Sequence, residues 1–344
     1  SGYFGRDVFS VSNSFKNTYG NTVFNFRWNH LFSDRLFSNL SLIYSDYYYG
    51  LDLNFVGFEW NSGIQNMNVK FDLKQYLSDR YSLEYGLHST YYVFNPGIIQ
   101  PNGPTSGINK EALTKKNAFE NAVYFDIKQK LSDKLSLSYG ARLGSFLRLG
   151  QDELNLYQDN LAVAFNPNLQ IYEAVQPIGT ITSSAASIEA SFLNIEPRVA
   201  AAYTLDKNSS VKASYNRMVQ YLHLLSNTTA PTPLDVWTPS GKYIQPHLLD
   251  QIALGYFKNF NNYSLEIETF YKKTKNRIDY IDGANLIANK AIEQVLLNGR
   301  SRAIGLELLF RKNKGRFKGW LAYTLSKYEQ QTSGRNNSEP GINN

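Results

Sequence analysis

The chain has 344 residues, with 35 Lys or Arg against 29 Asp or Glu, a net charge of +6 and no cysteine. The missing cysteines exclude a disulfide scaffold and thiolate metal sites. Lys and Arg are scattered singly rather than gathered into a stripe, which argues against nucleic acid, and no run of about 18 apolar residues marks a helical membrane span.

SGYFGRDV opens the sequence without a signal-peptide pattern, so export is expected to be directed by a segment outside it. DVFSVSNSFKNTYGN reads as the tail of an earlier strand or its loop. From there apolar residues recur at every second place, a strand period. About twelve strands in six hairpins are expected, at 20–32, 35–54, 64–77, 80–95, 118–131, 135–150, 190–205, 209–225, 248–259, 262–280, 296–312 and 316–329. KQKLSDKLSLSYGAR shows the unit: two alternating runs meet at Ser132, Asp133 and Lys134, and Asp readily bonds its own backbone in a turn. Related turns stand at Ser33–Asp34–Arg35, Ser78–Asp79–Arg80, Asp206, Asn261 and Lys314–Gly315. Their spacing is uneven, unlike a solenoid or propeller.

Opposite these turns lie long, Pro-, Gly- and Asn-rich connections at 97–116, 151–187 and 227–245. Short turns on one edge and erratic loops on the other are the habit of a membrane β-barrel, with periplasmic turns and extracellular loops. Runs such as 36–53 and 135–149 exceed the usual five or six residues of a soluble strand and suffice to cross a bilayer. The fold class is therefore all-β, a transmembrane antiparallel up-and-down barrel. The Tyr-rich clusters SDYYYG and TYYVF are expected at the aromatic girdles. In the 128–142 hairpin, Lys128 and Arg142 are expected to face the lumen, and Leu131, Leu135 and Leu137 to face lipid.

The segments ASYNRMVQYLHLLSNTTAPTPLDVWTPSGKYIQPHLLDQIALGYFKNF, YSLEIETFYKKTKNRIDYIDGANL and GRSRAIGLELLFRKNKGRFKGWLAYTLS, in that order, resemble the barrel of TonB-dependent outer-membrane receptors from the Bacteroidetes. The resemblance is close over roughly the last third and one of layout before it. It implies a barrel of about 22 strands with a plugged lumen, of which 1–344 would be a single-domain piece, with plug and C-terminal strands elsewhere. It also implies a receptor that takes up a ligand across the outer membrane. The partners implied are the inner-membrane TonB energy-coupling complex acting through that plug, outer-membrane lipid and lipopolysaccharide around the wall, and a surface lipoprotein or other envelope subunits. A non-transporting docking scaffold in an envelope assembly, or a passive porin, are the alternatives.

No G-x-S-x-G elbow or phosphate loop occurs, so neither an enzyme nor a cofactor is expected. His30, His88, His223 and His247 are too far apart in the chain to suggest a metal site. Glu266, Glu268 and Lys272 read as a hydrated lumen wall. The ligand-binding candidates are inward-phase His88, Tyr92, Arg142, Arg148, Glu196 and Arg198, and loop aromatics Trp237 and Tyr243, with Tyr157 and Tyr172 beside them. Arg217 falls in phase with Val211, Ala213, Tyr215 and Val219, which would place it in lipid at a cost of about 2–4 kcal/mol. A bulge that shifts the phase nearby, or a lower position of this strand face, is expected there.

Overall fold

The computed structural model describes residues 1–335 apart from 12, 13, 56, 105, 151, 152, 227–234, 287 and 288. The NTTAPTPL and NNSEPGINN stretches, both read as loop, lie outside the described residues. Among the described residues the wall has thirteen strands: β1 (Gly2–Val11), β2 (Phe15–Ser33), β3 (Leu36–Leu53), β4 (Phe58–Ser78), β5 (Tyr81–Pro101), β6 (Lys116–Lys130), β7 (Leu135–Leu149), β8 (Ile188–Asp206), β9 (Ser209–Gln220), β10 (His247–Asn259), β11 (Tyr263–Tyr280), β12 (Leu296–Lys312) and β13 (Gly319–Thr332). Each pairs antiparallel with the next in chain order, an up-and-down meander. The additional strand is β1, whose ten residues pair with Phe15–Phe24 of β2. Polar residues crowd FKNTYGNT and hide the alternation there.

Register builds two different faces. One outward row runs Leu40, Phe71, Leu87, Val123, Leu143 and Ile195 across β3 to β8, each directly opposite the next. Val123 is 55 % and Ile195 57 % exposed, the condition of a side chain whose solvent is lipid. Four residues further along each strand, Tyr44, Met67, Tyr91 and Phe119 align as an upper girdle. At the turn end, Tyr263 stacks on Phe310 at 5.4 Å. The Tyr clusters therefore divide between faces, because adjacent residues point oppositely. Tyr48 and Tyr91 lie outward, while Tyr49 packs with Leu51 and Trp60 and Tyr92 stacks on Phe94. Lys128 and Arg142 face inward and Leu131 outward, as the period requires.

In the three SD turns the serine, not the aspartate, holds the backbone. Ser33, Ser78 and Ser132 Oγ accept the N–H of Arg35, Arg80 and Lys134 at 3.3, 3.2 and 3.3 Å, a hydroxyl-closed turn. Asp206 does play the expected part, accepting Asn208 N–H at 2.7 Å. At the opposite edge, the connections after β1 and β3 are as short as the turns. β5 also outruns its expected end through PGIIQP, because Glu111 and Ala112 return to pair with Ile99 and Ile98. Gly97 permits this: a Cβ there would stand 2.0 Å from the indole of Trp60.

Two departures on β9 share a cause in the ladder. The β9–β10 register runs unbroken from Ser209 to Gln220, so no bulge rescues Arg217. It stays outward, directly opposite Asp250, and its Nε and Nη2 donate to that carboxylate at 2.8 and 3.1 Å. Tyr215 OH donates to the same carboxylate at 2.7 Å. A bidentate pair carries little net charge toward the outside.

The strand expected over 209–225 breaks at Tyr221. Thr204 donates its N–H to Lys134 on the β7 side, so odd positions of β8, Pro197 among them, turn their N–H toward β9. Proline has none to give. The β8–β9 ladder ends one residue short of it, at Arg198 and Asn216, and Glu196 Oε2 accepts the freed N–H of Val219 at 3.2 Å.

Replacing Arg217 by Leu leaves Asp250 facing outward without its cation and is expected to lower stability by about 1–3 kcal/mol. Leu at both positions should recover most of that loss. A double-mutant cycle on the urea-unfolding midpoint in lipid checks it, and additive losses would rule out the pairing.

Candidate functional site in the lumen

The inward face of β5 to β8 gathers most of the residues singled out in the sequence. Arg142 on β7 stands opposite Glu196 on β8. Its Nε lies 3.4 Å from Glu196 Oε1 and its Nη2 3.1 Å from Glu120 Oε1 on β6. Nη2 also donates to His88 Nδ1 at 3.0 Å, and His88 Nε2 lies 3.0 Å from Thr90 Oγ1. Tyr92 OH donates to Glu120 Oε2 at 3.3 Å. Small residues make room for the guanidinium: Ala122 pairs with Gly144, where a Cβ would approach Glu196 Oε1 to 3.3 Å. The result is one cation clamped by two carboxylates on neighbouring strands, beside a histidine and a tyrosine.

Arg198 sits one level nearer the turns, on the carboxylate of Asp126. Tyr124 there reaches Asp72, which Lys70 neutralises at 3.2 Å. Toward the turns the inward face becomes small: Ser136, Ser138, Ala200, Ala202, Ser214 and Gly255 border a hollow of about 1200 Å³. Lys128, Lys212 and Glu268 reach into the same space.

Arg148 lies at the opposite edge and is only 3 % exposed. Its Nη1 donates to the carbonyls of Asn117 and Leu149, both at 2.9 Å, and Gly241 of the 221–246 loop covers its stem. That loop turns inward where β9 leaves β8. Tyr221 stacks on Phe146 at 4.7 Å and 5°, and with Phe94 and Ala118 forms an apolar floor on which Trp237 also rests. A short ribbon pairs Leu222–Leu225 with Val236–Pro239. Lys116 donates to Thr238 at 3.1 Å, anchoring the ribbon to the far wall.

Tyr243 is tied down rather than presented: its OH donates to Asn155 O at 2.8 Å and its ring meets Tyr157 edge-on at 5.2 Å. Tyr157 OH and Asn155 Nδ2 both donate to Glu293 Oε1, at 2.8 and 3.2 Å. Tyr172 packs edge-on against Phe165 within its own loop. Glu293, Asn155 and Glu120 were missed in the sequence, since their partners lie far along the chain. Glu120 alone carried a signal, its inward phase.

Two histidines distant in the chain meet in the fold. His223 and His247, 24 positions apart in the chain, bring their rings to 4.5 Å at the base of the loop. His223 is 2 % exposed and its Nε2 meets Ser240 Oγ at 2.9 Å. Burial, with His247 and Arg277 adding to it, pushes His223 down to about 3.

Outward apolar rows, an aromatic girdle, short turns on one edge and loops folded over a polar lumen on the other define the wall of an outer-membrane β-barrel. The chain belongs to the TonB dependent receptor-like, beta-barrel family, whose model matches residues 1–343. No curated protein sequence matches it. Among solved structures it is similar to the alcaligin outer-membrane receptor FauA of Bordetella pertussis, with a TM-score of 0.57 and 12 % identity over 96 % of this chain and 53 % of that one. The hemophore receptor HasR of Serratia marcescens gives 0.61 and 16 % over 92 % and 50 %, and the ferric yersiniabactin uptake receptor FyuA of Yersinia pestis 0.57 and 13 % over 95 % and 44 %. The chain thus spans about half the length of the structures it matches. It is a protein of the bacterial outer membrane, crossing it with strands.

Two measurements follow. Arg142→Ala leaves Glu120 and Glu196 without their shared cation and is expected to cost about 2 kcal/mol in a denaturant titration. An unchanged midpoint would show the clamp to be idle. For the loop, a histidine freed from burial regains an ordinary pKa of about 6.5. The undocked loop therefore takes up a proton that the docked one refuses, and docking weakens as pH falls from about 6.5 toward 3. Hydrogen exchange of the 221–246 peptide, corrected for intrinsic rate, should be level from pH 8 to 7 and rise below 6.5. His223→Gln should blunt that rise.

Proposed function

We propose that the chain forms part of a wall of about 22 strands in a ligand-gated uptake receptor, energised from the inner membrane by the TonB complex through a plug domain. The wording of Ser214 to Leu325 supports a Bacteroidetes source. One observation carries the reading: a polar network on the lumen face, centred on Arg142, stands between a roof of interlocked loops and a hollow of about 1200 Å³ lined by Ser, Ala and Gly together with Tyr76, Tyr81, Lys128, Lys212 and Glu268. A passive pore has no need of such a roof. A hollow of that size, with a stretch of Ser, Ala and Gly on β7 to β10, suits a globular domain packed against the wall. His88, Tyr92, Arg142, Glu196 and Arg198 then line the route, and the loops bearing Trp237 and Tyr243 meet the ligand first.

The similar receptors are described by a siderophore or by haem, which makes iron chelates the first ligands to try. Cells expressing the full-length receptor are expected to accumulate radioiron from one member of a ferric siderophore and haemin panel. Accumulation should cease with an uncoupler or on deletion of the TonB-coupling segment. Uptake indifferent to both would overturn energised transport and leave a porin.

A further inference from the structure

The lipid-facing side of β6 is apolar except at one place. Between Gln129 near the turns and Phe119 at the upper girdle, its outward residues are Ile127, Phe125, Val123 and Asn121. Asn121 stands directly between Ser89 of β5 and Ser145 of β7. This polar row lies one outward position below the girdle of Tyr91 and Phe119, about 5 Å lower at a strand tilt near 40°. Apolar side chains frame it. Leu87, Val123 and Leu143 below are from 44 to 55 % exposed, and Val69 and Leu193 stand exposed at its two ends.

Hydrogen bonding within the row is incomplete. Ser89 Oγ donates to Asn121 Oδ1 at 2.7 Å, which leaves a second lone pair on Oδ1 and both hydrogens of Nδ2. Among the described residues Nδ2 donates to nothing. Below the girdle no water is at hand to accept it, and an unsatisfied amide in hydrocarbon is costly. Other outward polar groups find their partner in the wall itself. Arg217 has Asp250, and Thr269 on β11 donates to Gly305 O at 3.0 Å.

A carboxamide is its own complement, since two of them face to face exchange two N–H···O=C bonds. A two-fold axis along the membrane normal sets a residue on the axis opposite its own copy. With Asn121 on that axis, Ser89 of one copy faces Ser145 of the other, and Val69 faces Leu193. Serines beside the amide leave the row recessed, so two walls can approach closely where a polar bond forms in the membrane. Apolar side chains around it then close the contact against lipid.

We propose that Ser89, Asn121 and Ser145 form the centre of a contact within the membrane between two copies of this wall, held by reciprocal hydrogen bonds between the two Asn121 amides. The occupant is a second copy because the unpaired group is self-complementary and its neighbours are arranged about it in pairs that a two-fold axis exchanges. The contact is independent of whatever the lumen carries.

The test uses the full-length receptor in native outer membranes, with any cysteine outside these cysteine-free 344 residues replaced. Ser89→Cys with Ser145→Cys is expected to give a disulfide-linked species of twice the monomer mass on mild oxidation. Within one chain the two positions stand two strands apart, about 9.6 Å, too far for a disulfide. Ile304→Cys, outward on β12 and 55 % exposed, should stay monomeric. Adding Asn121→Leu to the cysteine pair should lower the dimer yield about threefold or more, judged on protein whose heat-modifiable gel shift is intact. Absence of the dimer from the cysteine pair would overturn the proposal, and so would equal cross-linking through Ile304→Cys, the mark of random collision. A yield indifferent to Asn121→Leu would overturn it too, since the amides would then contribute nothing.

Discussion

A strand in hydrocarbon has no water to satisfy its backbone, so every N–H must find a carbonyl on a neighbouring strand. That demand locks register, and register decides which side chain meets lipid and which meets the lumen. Arg217 shows how far the constraint reaches. An unbroken ladder from Ser209 to Gln220 holds it in the outward phase, and slipping the strand by one would turn Val211 and Ala213 inward with it. The molecule keeps the ladder and satisfies the charge locally, with Asp250 and Tyr215.

Where the ladder does stop, a single residue is responsible and the consequence is large. Pro197 has no N–H to offer β9, so β9 parts from β8 at the level of Arg198. Glu196 then serves two purposes, accepting Val219 N–H while facing Arg142. The carboxylate that anchors the departing strand is the one that clamps the lumen cation, so the wall network and the inward loop share a hinge.

Much of the wall was legible because its signal is local. Two-residue alternation places Lys128, Arg142 and Leu131 on their correct faces, and serine–aspartate turns mark the hairpins whichever of the two residues makes the bond. Partnership across strands was not legible. Glu120 becomes Arg142's neighbour only through the β6–β7 register, and His223 meets His247 only because the loop folds inward. Phase alone also ranked Arg148 with Arg142, whereas height separates them: one lies under the loop, the other on the open wall.

The loops bear on how such a wall could open. Asn155 and Tyr157 from one loop converge on Glu293 of another, and Tyr243 from a third bonds Asn155 O. Lys116 adds a tie from the wall to Thr238. With these contacts in series, lifting the 221–246 loop strips partners from the 150–187 loop, and moving that one uncovers the Glu293 carboxylate. Buried polar groups left without partners are costly, so intermediate positions are disfavoured relative to a roof that is docked or released as a unit. A ligand that competes for Tyr157, Tyr243 or Glu293 would act on all three loops at once.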